Sequence, residues 1–164
     1  MPETEAALPE VYLKPGEMFL ARDPTIIRTI LGSCVGVTFW CARLGIGALC
    51  HGMLPRCPKT SIGETSPAVG YRYVDFCIQN IARQFELLGA CRHEIQVKVF
   101  GGADVLLVDN PASRPTVGRQ NYETAIAILQ AEGYNVVASS LGDTFGRTIR
   151  FNTASGEVLQ RRLV

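Results

Sequence analysis

The spacing of apolar residues changes twice along this chain, and those changes restrict it to a mixed, layered architecture. Val74, Cys77, Ile78, Ile81, Ala82, Phe85 and Leu88 recur at i, i+3, i+4 and i+7, the stripe of a helix with one face on a core. Gly89 is placed to stop it. A second helix is expected from Thr116, a candidate N-cap, through Glu132, with Tyr122, Ala125, Ile126 and Leu129 on its apolar side and Gly133 closing it. The remaining periodic stretches read as strands. They are a stretch from Val11 punctuated by Gly16 and Asp23-Pro24, then Ile26 to Leu31, Val35 to Trp40, Ile46 to Met53, Glu94 to Phe100, Asn135 to Ser140, Arg147 to Asn152 and Glu157 to Leu163. Turns are expected at 42–45 and 154–156. About eight strands and two main helices, with the helices far apart in sequence, predict an α+β fold with layered packing.

The 164 residues suit one domain, 11–164, preceded by a loose acidic arm over 1–10. A hydrophobic share of 47% against 19% charged excludes general disorder. Sixteen basic and fifteen acidic side chains leave a net charge of +1, so no bulk charge draws the protein onto nucleic acid or an anionic membrane. The longest uncharged run, Thr29 to Ala42, has fourteen residues, short of the ~20 a spanning helix needs, so no direct membrane insertion is expected. The N-terminus is acidic where a secretory leader would be basic and then apolar. A cytoplasmic protein is the expectation. Lys59 to Gly70, crowded with Thr, Ser, Gly and Pro, reads as a mobile loop.

The six cysteines, Cys34, Cys41, Cys50, Cys57, Cys77 and Cys91, include no Cys-x-x-Cys pair and match no common zinc spacing. A mixed site from Cys41, Cys50, His51 and Cys57 is a conceivable metal arrangement. The plainer reading makes most of them small buried hydrophobes, with Cys41, Cys77 and Cys91 facing the core and unreactive. Of the two histidines, His93 sits at a polar helix–strand junction and is expected in solvent. His51 lies on an apolar strand, where a satisfied core residue is the ordinary case. If 35–40 and 46–53 form a hairpin with an even-numbered loop, however, Cys34 and His51 share a sheet face within reach of each other. An odd-numbered loop would separate them. Cys34 also follows Leu31-Gly32-Ser33 at a break between two apolar strands, where backbone amides could form an oxyanion hole. A buried thiol at a tight corner is the alternative.

Leu31-Gly32-Ser33-Cys34-Val35, followed by Gly45-Ile46-Gly47 and His51-Gly52-Met53-Leu54-Pro55, resembles the paired motif of the CheD family, chemoreceptor glutamine deamidases. The likeness continues through Tyr71-Arg72-Tyr73-Val74-Asp75, Lys98-Val99-Phe100-Gly101-Gly102-Ala103, Val117-Gly118-Arg119-Gln120-Asn121 and Gly146-Arg147-Thr148-Ile149-Arg150-Phe151. The resemblance implies an α/β/β sandwich like the catalytic domains of deamidating toxins. It implies a protein-glutamine glutaminase with Cys34 as nucleophile, His51 as base and a threonine as third member, Thr29 first and Thr25 a distant second. No metal or organic cofactor is implied. Implied partners are the cytoplasmic helices of chemoreceptors, as glutamine (and glutamate methyl ester) substrates, and a CheC-type phosphatase. Docking to that phosphatase without catalysis is the alternative function; a general thiol hydrolase such as a protease is a further one. Cys50 and Gly52 beside His51, and the Gly142-Asp143-Thr144-Phe145 stretch, depart from the family's usual pattern. The loop from Lys59 is expected to help grip a receptor helix.

Overall fold

A computed structural model describes residues 8–58, 66–105 and 115–163. The loop expected to grip a receptor helix falls largely at 59–65, outside the described residues, as do 1–7 of the expected arm. The strands are β1 (Glu10–Tyr12), β2 (Met18–Ala21), β3 (Ile26–Leu31), β4 (Val35–Cys41), β5 (Ile46–Gly52), β6 (Gln96–Gly101), β7 (Asn135–Leu141), β8 (Arg147–Asn152) and β9 (Val158–Arg162). The helices are α1 (Pro67–Gly70), α2 (Val74–Leu87) and α3 (Val117–Ala131). Both long helices end at the expected glycines, with Gly89 and Gly133 at φ +93° and +76°, and the Thr116 hydroxyl caps α3 by accepting from Arg119 N.

The single strand expected from Val11 is two strands, on different sheets. Lys14-Pro15-Gly16-Glu17 separates them as a turn, with Glu17 N donating to Lys14 O and Gly16 at φ +78°. Proline second and a left-handed glycine third are the signature of a type II turn. The strand count among the described residues is therefore nine rather than eight. Pairing starts early: Ile26 N donates to Pro9 O. The end of the segment expected as a loop, Pro67–Gly70, is the short helix α1.

Two sheets form, with orders β1-β3-β8-β9 and β2-β5-β4-β6-β7. Side-chain alternation in β4 and β5 explains the layering. Val35, Val37, Phe39 and Cys41 of β4, with Ile46, Ala48 and Cys50 of β5, pack with Cys77, Ile78, Ile81 and Phe85 of α2 and Ala125 and Leu129 of α3. Their neighbours face the other way. Leu49 joins Leu13, Ile27 and Phe151, while Phe100 joins Leu31 and Ile149, in the space between the sheets. The order is thus helices, five-stranded sheet, four-stranded sheet: the layered α/β/β sandwich expected. β6 and β7 run parallel, so they require a crossover, and α3 supplies it.

At the end of β6, Gly101 has φ +104°, and a Cβ there would run into the Cys34 carbonyl oxygen. Both effects oppose any side chain. Gly101→Ala is expected to cost at least ~2 kcal/mol of stability, read as a lowered urea midpoint.

Candidate active site

β3 and β4 belong to different sheets, so the chain crosses between layers in Gly32, Ser33 and Cys34. All three carbonyls of that crossing are held. Gly32 O accepts from Ala103 N (3.0 Å), Cys34 O from Gly102 N (2.9 Å) and Ser33 O from Asn121 Nδ2 (2.9 Å). Among the described residues, neither Ser33 N–H nor Cys34 N–H has an acceptor in another residue. A turn with tied carbonyls and free amides offers donors to an oxygen that develops negative charge.

The β4–β5 ladder pairs Gly36 with His51 and Val35 with Gly52, across the four-residue turn 42–45. The even count keeps His51 on the same face as Cys34, two residues before Gly36. That face looks between the sheets. Cys34 packs on Leu31, Phe100 and Ile149, and His51, 2% exposed, reaches Thr29 of the facing sheet.

Thr29 Oγ1 lies 2.7 Å from His51 Nδ1 and 2.9 Å from Leu13 O. A hydroxyl has one proton, and a carbonyl only accepts. The proton therefore goes to Leu13 O, and the Thr29 oxygen accepts from the Nδ1–H of His51. Neutral His51 is held as the Nδ1–H tautomer, with its lone pair on Nε2. Thr25 plays no part in this: its hydroxyl donates to Asp23 O (2.8 Å) and its N–H to Thr153 Oγ1 (2.9 Å).

Two contributors lay outside the expected set. Glu17 is brought opposite His51 by the turn at Gly16: Gly16 N donates to His51 O (2.9 Å), and His51 N donates to Glu17 O (3.0 Å). Two residues facing one, the first a left-handed glycine, make a G1 bulge, a device that re-aims side chains beside functional sites. The Lys14-Pro15-Gly16-Glu17 order carried that signal. Asn121 is the other; it lay inside a quoted motif, and nothing in its spacing showed that its amide reaches Ser33.

Burial sets the protonation states. It pushes the Cys34 thiol up from its ordinary value, partly offset by the Cys34 N–H. It pushes His51 down to about 4, with the Glu17 carboxylate pulling the other way. The resting pair is neutral, thiol and imidazole, because both charged forms lose solvation between the sheets. Cys34 is thus not a thiol activated in advance by a depressed pKa. Cys91 is exposed, correcting its placement in the core, because it precedes a short 3-10 turn (Arg92–Glu94) at the surface. Cys41, Cys50 and Cys77 are buried, and His93 is exposed as expected. Cys41 and Cys50 face the helices while His51 faces the second sheet, so these three do not converge on a metal. Among the described residues no group of three or more His, Cys, Asp or Glu side chains could hold one.

A family model described as CheD chemotactic sensory transduction matches residues 53–162. The chain belongs to the CheD family. It is 43% identical, over 95% of its length and 91% of the relative's, to a Geobacter sulfurreducens protein named "Probable chemoreceptor glutamine deamidase CheD 2". It is 34% identical, over 99% and 97%, to a Maridesulfovibrio salexigens protein named "Probable chemoreceptor glutamine deamidase CheD". Thr29, Cys34 and His51 precede the span of the CheD model but fall within these alignments. The crystal structure of Neisseria meningitidis protein NMB0706 shares the fold, with a TM-score of 0.51, 15% identity and coverage of 85% of this chain and 66% of that one. Among the described residues no helix is long and apolar enough to cross a membrane.

His51 also makes stability depend on pH. Its folded value, about 4, lies below its ordinary 6.5, so the unfolded chain takes up the proton first as pH falls. The stabilisation is complete above pH 6.5 and is lost toward pH 4, on the order of 3 kcal/mol in all. Urea titrations across this window should show a steeper loss for the wild type than for His51→Gln. Equal slopes would contradict the burial assignment.

Proposed function

We propose that this CheD-family protein deamidates glutamine side chains on the cytoplasmic helices of chemoreceptors, acting in the cytoplasm, with Cys34 as nucleophile, His51 as base and Thr29 as the group that orients the base. The observation that carries this reading is the Leu13–Thr29–His51 hydrogen-bond chain. Among the described residues the basic nitrogen of the imidazole has no hydrogen bond, and it lies on the face that Cys34 shares. The names of the relatives supply the substrate class.

The proton of the Cys34 thiol passes to His51 Nε2 as the sulfur bonds to the carboxamide carbon. The resting pair is neutral, so this transfer accompanies attack instead of preceding it. The amide oxygen becomes an oxyanion facing the free N–H groups of Ser33 and Cys34. The C–N bond then breaks, the nitrogen takes the proton from His51, and ammonia leaves a glutamyl thioester. Water gives a proton to His51 and its oxygen to the acyl carbon. The C–S bond breaks, the proton returns to sulfur, and the product is glutamate. A glutamate methyl ester offers the same acyl carbon with methanol as leaving group and follows the same steps. Throughout, the Nδ1–H bond to Thr29 stabilises the imidazolium, as the third member does in other triads. No metal or organic cofactor enters.

This arrangement favours catalysis over a docking-only role beside a CheC-type phosphatase. A docking surface has no use for a buried imidazole whose tautomer is fixed with its lone pair unpaired. Cys34→Ala and Cys34→Ser should abolish the mass gain of about one dalton per converted glutamine in a receptor cytoplasmic fragment, with the fold retained. His51→Ala should match them, and the double variant should be no worse, because the two act as one unit. Thr29→Val, which keeps the volume and removes the hydroxyl, should lower kcat by roughly 10- to 1000-fold. A Cys34→Ala variant that still converts glutamine at the wild-type rate would sink the assignment.

A further inference from the structure

The β4–β5 ladder stops one step short of the residues it must align. Its last pair is Val35 with Gly52, and the same register would next set Cys34 opposite Met53. That position is a non-hydrogen-bonded site of the antiparallel ladder, since Cys34 O turns to Gly102 N and His51 N to Glu17 O; the next rung would join Ser33 to Leu54, and it is not made. Met53 N and Leu54 N both donate to Arg72 O instead (2.7 and 3.0 Å), so the chain after β5 is drawn toward the start of α2. Without another tie, the corner bearing Cys34 and the strand end beyond His51 would be free to separate.

Asn121 spans that gap. It lies on α3 and is fully buried, and its Nδ2 donates to Ser33 O (2.9 Å) and Met53 O (3.1 Å). Both partners are carbonyls, so the nitrogen must face them and the amide cannot be turned over. Among the described residues the buried Oδ1 has no partner. An orphaned acceptor is unfavourable, and a side chain there only to fill space would avoid it. What asparagine supplies is two N–H donors on one atom, reaching the residue before Cys34 and the residue two after His51.

We propose that Asn121 is a positioning residue for the deamidation: its amide acts as a side-chain rung that holds the Cys34 corner at proton-transfer distance from His51. This rests on the reading of Cys34 and His51 as nucleophile and base. Asn121 itself need not touch substrate. Misplacing reacting groups by about 1 Å can cost on the order of 100-fold in rate.

The test uses the full chain with a receptor cytoplasmic fragment, and iodoacetamide as a probe of Cys34. Asn121→Asp keeps the shape but turns an acceptor toward both carbonyls; Asn121→Ser is smaller and keeps one donor. Each should lower kcat, by about 100-fold for the aspartate, with KM within about threefold, and each should shift the pH profile of Cys34 alkylation. Ile128→Ala, on the same helix and away from the corner, should lower Tm while leaving kcat and the alkylation profile unchanged. If the aspartate variant does not fold, the serine variant decides. The inference is overturned if a folded Asn121 variant keeps wild-type kcat and alkylation profile, or if Ile128→Ala loses kcat equally. Cys34→Ala, run alongside, separates the two readings. Persistent deamidation there overturns the nucleophile assignment, whereas its loss together with unaffected Asn121 variants overturns only the positioning role.

Discussion

The register of the β4–β5 hairpin is the constraint on which the rest of this molecule depends. A four-residue turn sets the parity, and parity decides which layer each side chain enters. Val35, Val37 and Phe39 go to the helices, while Cys34 and His51 go to the space facing the second sheet. A slip by one residue would turn the apolar set outward and carry the thiol and imidazole into the helix-facing core. Burial of the apolar set, at ~25 cal/mol per Å², therefore fixes the relative placement of the two reactive groups as a by-product. No separate interaction has to choose their face.

The second sheet then makes one of those groups specific. An imidazole between sheets has two ring nitrogens that could carry its proton. Thr29, tied to the Leu13 carbonyl, accepts from only one of them. Leu13 follows the short β1, which pairs in parallel with β3 through Glu10 to Tyr12. The tautomer of His51 thus depends on a three-residue edge strand brought back beside β3 from the N-terminal side. The same burial that makes the hydrogen bond strong raises the cost of charging either partner, so the acid–base pair is held neutral at rest.

Much of this was legible in the sequence, for definite reasons. Both long helices and their glycine stops announced themselves through period and capping, because each packs one face on one sheet. The hairpin parity stayed open in the sequence, an even loop putting Cys34 and His51 on one face and an odd loop separating them; the four-residue turn of the structure decides it. Thr29 came only through family resemblance, since the facing of β3 and β5 is a contact between sheets that no local pattern encodes. Gly16 was legible as a break in the first stretch, but the change of sheet there was not, because alternation on both sides looks the same whether or not the sheet changes. Cys91 was misplaced because hydrophobicity predicts burial poorly in a junction that supplies its own surface turn.

Asp143 shows how far the support of the Cys34 corner extends. It is the one non-glycine at positive φ among the described residues (+61°), a conformation that Asp tolerates better than most. Its carbonyl accepts from Asp104 N (2.8 Å), and Gly142 N donates to Gly101 O (2.9 Å). The loop between β7 and β8 is thereby laced to the segment that holds the Gly32 and Cys34 carbonyls. Arg147 secures the loop from behind: fully buried, it donates to Gly142 O (3.0 Å) and Ser140 Oγ (3.2 Å), and its guanidinium lies 4.6 Å from the Phe145 ring centre. Burying a cation without a close carboxylate is expensive; Asp143 Oδ2 stands 3.9 Å away, and among the described residues Nη2 has no hydrogen bond. That cost has a structural return. Carbonyls and an aromatic face spread the charge over the whole loop, so the 142–145 turn and the 101–103 turn are held as one body. The Cys34 corner is gripped by that body on one side and by α3 on the other, and among the described residues the amides of Ser33 and Cys34 donate to no other residue.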